Sequence, residues 1–138
     1  MPSASASPPF ETVAAVITDP RGRVLLVRKR GSDTFIQPGG KREAGESALQ
    51  TLARELREEL GVRLHDDSAE LLGTYEDRAV NEPGRRVRAE VYRVQVDGEP
   101  MPGAEIQELR WLDPAPPHAV PVAPLSAGHI LPAHRARR

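Results

Sequence analysis

Apolar positions along this chain come in short runs punctuated by glycine and proline, and their period changes once. Phe10 to Thr18 is rich in β-forming residues and ends at the turn signal Asp19-Pro20-Arg21-Gly22, which predicts a strand. Val24 to Arg28 continues apolar, so the two segments read as a hairpin or as neighbouring strands. Phe35-Ile36-Gln37 is a short extended piece stopped by the turn Pro38-Gly39-Gly40. The period then becomes helical. Leu49, Leu52, Ala53, Leu56 and Leu60 form one stripe between Ser47 and Leu60. Ser47 with Gln50 fits a capping box, and Gly61 stands where a helix-ending glycine belongs. Further strands are expected at 70–75, 87–96 and 109–112, and a short closing helix within 121–131. A β-rich part, a strong helix, a second β-rich part and a weak helix predict a mixed sheet with helices packed outside it.

Composition narrows the chemistry. A length of 138 residues favours one core and one domain. The absence of Cys excludes disulfides, zinc–thiolate sites and thiol nucleophiles. A net charge of −1 argues against a nucleic-acid or anionic-membrane partner, and aromatic residues are too few for a base-stacking platform. No apolar run approaches the roughly 20 residues of a membrane span. Residues 1–9 lack the basic and apolar regions of a signal peptide and read as a flexible arm. The expected domain is therefore 10–131, followed by a flexible basic tail at 132–138, in a cytoplasmic protein. The four histidines lie away from the strong helix in sequence and are expected at the surface.

The strong helix carries the chemistry. At about 100° per residue, with Glu55 at zero, Glu58 falls near about −60° and Glu59 near about +40°. Three carboxylates thus share a face beside the leucine stripe, and like charges so close repel. Arg54 offsets part of this four residues before Glu58, and a divalent cation offsets more. Oxygen-only donors select Mg²⁺, Mn²⁺ or Ca²⁺ over zinc. The Gly39 carbonyl, on a Gly-Gly turn, is placed to join such a metal. These features imply a metal-dependent site for a phosphorylated small molecule.

The run Gly40 to Val62 resembles the Nudix box at every fixed position. It reads Gly40, five residues, Glu46, seven residues, Arg54-Glu55-Leu56-Arg57-Glu58-Glu59-Leu60-Gly61-Val62. The resemblance implies an α/β/α sandwich: a mixed β-sheet with the box helix and a second helix packed outside. It implies hydrolysis of a nucleoside diphosphate linked to a group X, with Mg²⁺ as cofactor and Mn²⁺ as substitute. By position, Glu55, Glu58, Glu59 and the Gly39 carbonyl resemble the metal ligands, and Glu46 and Arg54 the residues that orient them. Glu105, six residues before Trp111, resembles the late glutamate of MutT-type members. It is the candidate extra ligand or general base beside Glu55, with Glu108 as competitor. Trp111 itself reads as core. Arg28 and Lys41 flank the box and are expected to meet phosphates, and Gln37 to bond a base or sugar.

Substrate choice lies outside the box. Asp77, Arg78, Ala79 and Val80 stand where markers for ADP-ribose or diadenosine polyphosphates would fall, and Asn81, the sole Asn, comes too early for a MutT-like base reader. Small size and layout point to a nucleoside triphosphate cleaved to monophosphate and pyrophosphate. Nucleotide sugars or ADP-ribose are the alternative substrates, and a catalytically silent nucleotide sensor the alternative outside enzymes. Members of the family are often dimers, so a homodimer is an expectation. Scarce aromatics predict broad base tolerance.

Overall fold

The computed structural model describes residues 8–137. Its elements are β1 (Phe10–Ile17), β2 (Val24–Lys29), β3 (Phe35–Ile36), β4 (Gly39–Lys41), α1 (Ala48–Leu60), β5 (Arg63–Leu64), β6 (Glu70–Arg78), β7 (Arg86–Val94), β8 (Val96–Asp97) and β9 (Ile106–Leu112). A π-helical turn, Ser126–Ile130, then runs into α2 (Leu131–Ala136). The strands form a mixed sheet in the order β4-β1-β7-β6, a sheet β3-β2-β9, and the small pair β5-β8. β1 lies parallel to β7 and antiparallel to β4.

Alternation along β1 builds two cores. Val13, Ala15 and Ile17 face Leu52, Leu56 and Leu60 of α1, while Ala14 and Val16 face Ile130 and Leu131. β2 splits the same way: Leu25 and Val27 join the first core, Val24 and Leu26 the second. The three α1 leucines are fully buried, each contributing about 2 kcal/mol of apolar burial. α1 keeps both expected ends: the reciprocal Ser47–Gln50 capping box and Gly61 in the left-handed conformation. The result is the expected mixed sheet between two helical layers.

Several local expectations change. β1 and β2 do not pair as a hairpin. Only the bridge Thr18–Val24 links them, because β1 spends its edges on β4 and β7 while β2 pairs with β3 and β9. The Gly39-Gly40 turn is a short strand against β1. Leu49 is 40% exposed, and Thr51 is buried instead. Trp111 is half-buried against the α1-side core.

The expected tail at 132–138 is helical through Ala136, and its His134 is buried, contrary to a surface histidine. Arg137 ties this end to the sheet by donating to the Leu71 and Leu72 carbonyls. At the other end, residues 1–7 of the expected arm lie outside the described residues. Pro8 accepts from Arg85, and Phe10 stacks against both Lys41 and Arg85. Among the described residues no helix is long and apolar enough to cross a membrane.

Candidate active site

One cleft of about 380 Å³ runs beside β1 and β4, and Glu55, Glu58, Glu59 and Glu105 all line it. The acids arrive by two routes. Helical spacing brings Glu55, Glu58 and Glu59 to one edge of α1. Glu105 comes from the loop between β8 and β9, which crosses the C-terminal end of α1. There the N–H groups of Met101, Gly103 and Ala104 donate to the carbonyls of Leu60, Glu59 and Glu58 at 3.0, 2.7 and 2.9 Å. These carbonyls would otherwise lack partners at a helix end. Gly103 is required for this approach, since a Cβ there would collide with the Glu58 carbonyl. The loop then delivers Glu105 in a left-handed conformation, φ 62°, unusual for a side chain other than Gly.

Behind the acids, Glu46 and Arg54 form a brace. Glu46 Oε2 accepts from Arg54 Nε at 2.7 Å, and Oε1 accepts from Arg54 Nη2, the Thr51 hydroxyl and the Glu43 N–H. The Arg54 bond above all holds the Glu46 carboxyl down to about 2. The free side of Arg54 reaches Glu55 Oε2 at 2.8 Å and Glu58 Oε1 at 3.4 Å. Gly40 leaves room for this arrangement, because a Cβ there would strike the Glu55 carboxylate.

Glu59 is the most enclosed acid, 6% exposed, and its Oε1 accepts the Gly39 N–H at 3.1 Å. Burial pushes its pKa up to about 8, against that bond, with Glu55 and Glu105 adding repulsion. Burial also raises Glu55, opposed by Arg54. Raised carboxyls of this kind mark acids whose burial outweighs the positive charge around them. The donors are all oxygen, and the chain has no Cys, so the set fits a hard divalent cation. Among the described residues no three acids stand close enough to hold an ion together. Arg54 engages Glu55 and Glu58, and Gly39 engages Glu59, so gathering them requires side-chain rotation.

Gly39, Gln37 and Lys41 also line the cleft. Lys41 is paired with Glu82 at 3.1 Å. Gln37 is buried, and its Nε2 donates to the Ala15 carbonyl at 2.9 Å. Arg28 does not line the cleft. It is held by Glu108 Oε1, 3.1 Å from Nη2, and by the Ser32 carbonyl, 2.9 Å from Nη1. Glu108 is therefore occupied by Arg28 and Arg110 away from the acids. A bulge after Arg28 turns Lys29 into the cleft in its place.

Lys29 went unnoticed in the sequence, although being one of two lysines marked it. Arg78 at the end of β6, Asn81 of the β6–β7 loop, Leu125 just before the π-helical turn and Ser126 at its start also line the cleft. Asn81 carried a signal as the sole Asn, whereas Leu125 and Ser126 carried none.

Comparison with known proteins follows the same lines. A model of the NUDIX domain matches residues 8–132. A MutT-like protein of Streptomyces ambofaciens is 33% identical over 116 residues, covering 82% of this chain and 71% of that protein. An 8-oxo-dGTP diphosphatase of Haemophilus influenzae is 34% identical over 130 residues, 91% of this chain and 85% of that protein. The solution structure of the E. coli ORF135 protein superposes with a TM-score of 0.73 at 30% identity, covering 99% of this chain and 94% of that one.

Proposed function

The chain belongs to the NUDIX family and is a pyrophosphohydrolase, and on that premise we propose that it cleaves nucleoside triphosphates to monophosphate and pyrophosphate with Mg²⁺. The observation that carries this reading is the union, in one cleft, of Glu55, Glu58, Glu59 and Glu105 with an apolar wall that includes Val87, Ala89 and Leu125. The wall suits a nucleoside and the acid edge a metal-bound diphosphate. The 8-oxo-dGTP diphosphatase of H. influenzae supports the triphosphate class.

Members of the family use divalent metal ions. Glu55, Glu58 and Glu59, with the Gly39 carbonyl and Glu105, are the proposed donors here. A cation held by these residues would supply charge neutralisation at the phosphates and a lowered pKa for a bound water. The remaining steps belong to the chain's own groups. Glu46 fixes Arg54, and Arg54 aims Glu55 and Glu58. Lys41 and Gln37 meet the substrate in this reading. Glu105 takes the proton of the attacking water: its carboxylate makes no hydrogen bond or ion pair among the described residues, whereas Glu55 is engaged by Arg54.

The test is a panel of nucleotides with Mg²⁺, measuring phosphate released after adding either inorganic pyrophosphatase or alkaline phosphatase. Pyrophosphate release from triphosphates is expected. Turnover of nucleotide sugars or ADP-ribose alone would replace the triphosphate reading with its alternative. Glu105→Gln is expected to slow kcat by about 100-fold. An unchanged rate would move the base to Glu55. A homodimer and a cytoplasmic location belong to the same proposal, checked by light scattering and by cell fractionation.

A further inference from the structure

One wall of the cleft comes from the loop between β6 and β7. Arg78 and residues 79–82 line the cleft, and Asn81 also lines a second recess beside Lys29, Ser32 and Glu105. One residue later, Glu82 Oε2 meets Lys41 Nζ of β4 at 3.1 Å. Adjacent residues thus face the β2–β3 turn on one rim and β4 on the other. The loop therefore runs across the mouth of the cleft as a strap.

Main-chain bonds of the strap close on the strap itself. Ala79 N–H donates to the Arg85 carbonyl at 2.9 Å, and Arg85 N–H to the Glu82 carbonyl at 3.1 Å. These bonds shape the loop, and side chains fasten it to the body of the protein. The Phe10 ring, at the start of β1, meets two cations, each 3.9 Å from its centroid: Lys41 Nζ from β4 and the Arg85 guanidinium from the strap. Arg85 Nη2 donates to the Pro8 carbonyl at 3.1 Å, and Arg85 Nε is buried with no hydrogen-bond partner among the described residues. The ring and that one bond therefore hold the guanidinium. The Lys41–Glu82 pair is exposed on both sides, and such pairs contribute little.

We propose that Phe10 and Arg85 are positioning residues for the substrate: their contact clasps the strap over the cleft and so sets the fraction of enzyme able to hold a nucleotide. The proposal deepens the function proposed above and rests on it for the identity of the substrate. Apparent affinity falls with the fraction of molecules that have the strap in place. The acids and their Arg54 brace hang on bonds that do not involve the strap, so the chemical step is left intact.

Phe10 is not among the buried residues of either core, so its ring can be changed without emptying one. Kinetics with a nucleoside triphosphate and Mg²⁺ are measured on wild type, Phe10→Leu, Phe10→Tyr, Arg85→Gln and the double variant of Phe10→Leu with Arg85→Gln. Hydrogen exchange of the peptide 79–85 is followed in parallel. Phe10→Leu is expected to raise KM about 10-fold and Arg85→Gln about 5-fold, with kcat within about 2-fold, the scale of lost cation–π contacts. The double variant is expected to match Phe10→Leu, because both substitutions undo one contact. Phe10→Tyr keeps the ring and is expected to stay near wild type. Exchange at 79–85 is expected to quicken about 10-fold in Phe10→Leu, with α1 unchanged. An unaltered KM, an equal loss in kcat, or a Phe10→Tyr variant as impaired as Phe10→Leu would overturn the clasp while leaving the hydrolase reading intact.

If wild type turned over no nucleotide, the function proposed above would fail. The clasp is then decided by exchange together with calorimetric titration, using Mg²⁺ and a nucleoside triphosphate whose α,β-bridging oxygen is replaced by methylene. Binding weakened about 10-fold by Phe10→Leu, with faster exchange at 79–85, would support it, and any other result would overturn it.

Discussion

The two helical layers reach the same cleft by different kinds of encoding. α1 is specified locally at both ends, by the Ser47–Gln50 box and by Gly61, with three buried leucines between them. The segment from Ser126 to Ala136 has no side-chain cap at either of its helical starts and carries Pro132 in its first turn. Its place is set by contact. Ile130 and Leu131 enter the second core, His129 pairs with Asp77 at 3.0 Å, and Arg137 bonds the edge of β6. The locally written helix carries the charged chemistry, and the contact-written one supplies Leu125 and Ser126 to the apolar end. On the proposed function, the difference teaches that reaction chemistry and substrate fit are encoded separately here and can be broken separately.

The largest effect is expected on the α1 side. Glu59→Gln is expected to lower kcat by about 100- to 1000-fold, read by pyrophosphate release. The same variant has an opposite consequence for stability in metal-free protein. The folded Glu59 keeps its proton up to about pH 8, whereas an unperturbed glutamate loses it near 4.5. Between these values the native state binds more protons, so stability falls as pH rises. Glu59→Gln removes that slope. Melting in the presence of a chelator is expected to show a Tm gain on the order of 5 °C at pH 8 that vanishes near pH 4.5. A gain that instead grew toward low pH would contradict the burial argument.

On the other side, Ile130→Ala empties a fully buried position. It is expected to cost about 3 kcal/mol in urea unfolding. The surviving folded enzyme is expected to show raised KM with nearly intact kcat, because the acids lie elsewhere. A fall in kcat without a change in KM would join the two regions that the comparison separates. The smallest effect sharpens the contrast in encoding. Ser47→Ala removes one cap bond and is expected to cost about 1 kcal/mol, whereas Leu49→Ala, on a half-exposed first turn, is expected to stay within about 0.5 kcal/mol.

Legibility followed the range of the interactions. α1, its caps and the shared edge of Glu55, Glu58 and Glu59 depend on spacings of three and four residues, so the pattern alone specifies them. The brace of Glu46 and Arg54 was readable only through the family resemblance, since eight residues and a turn separate the partners. Arg28 and Lys29 exchanged places because a bulge after Arg28 resets which face the next residue meets, and pairing with β9 creates that bulge. Glu105 was legible by its distance from Trp111. The loop that holds it was not, because its bonds run to carbonyls at the end of α1 that have no sequence marker. His134 reads as a surface residue in any local window, and only the docking of α2 buries it.

By itself, then, the sequence determined the helix that carries the acids, the hard-metal character of the donors and the family. Each of these rests on residue type and short spacing. Tertiary structure alone decided that Lys29 rather than Arg28 enters the cleft beside those acids, which side chains form its apolar wall, and how far burial lifts Glu59. These depend on chain segments far apart in sequence meeting across two sheets, where alternation, bulges and desolvation act only after the segments are in contact.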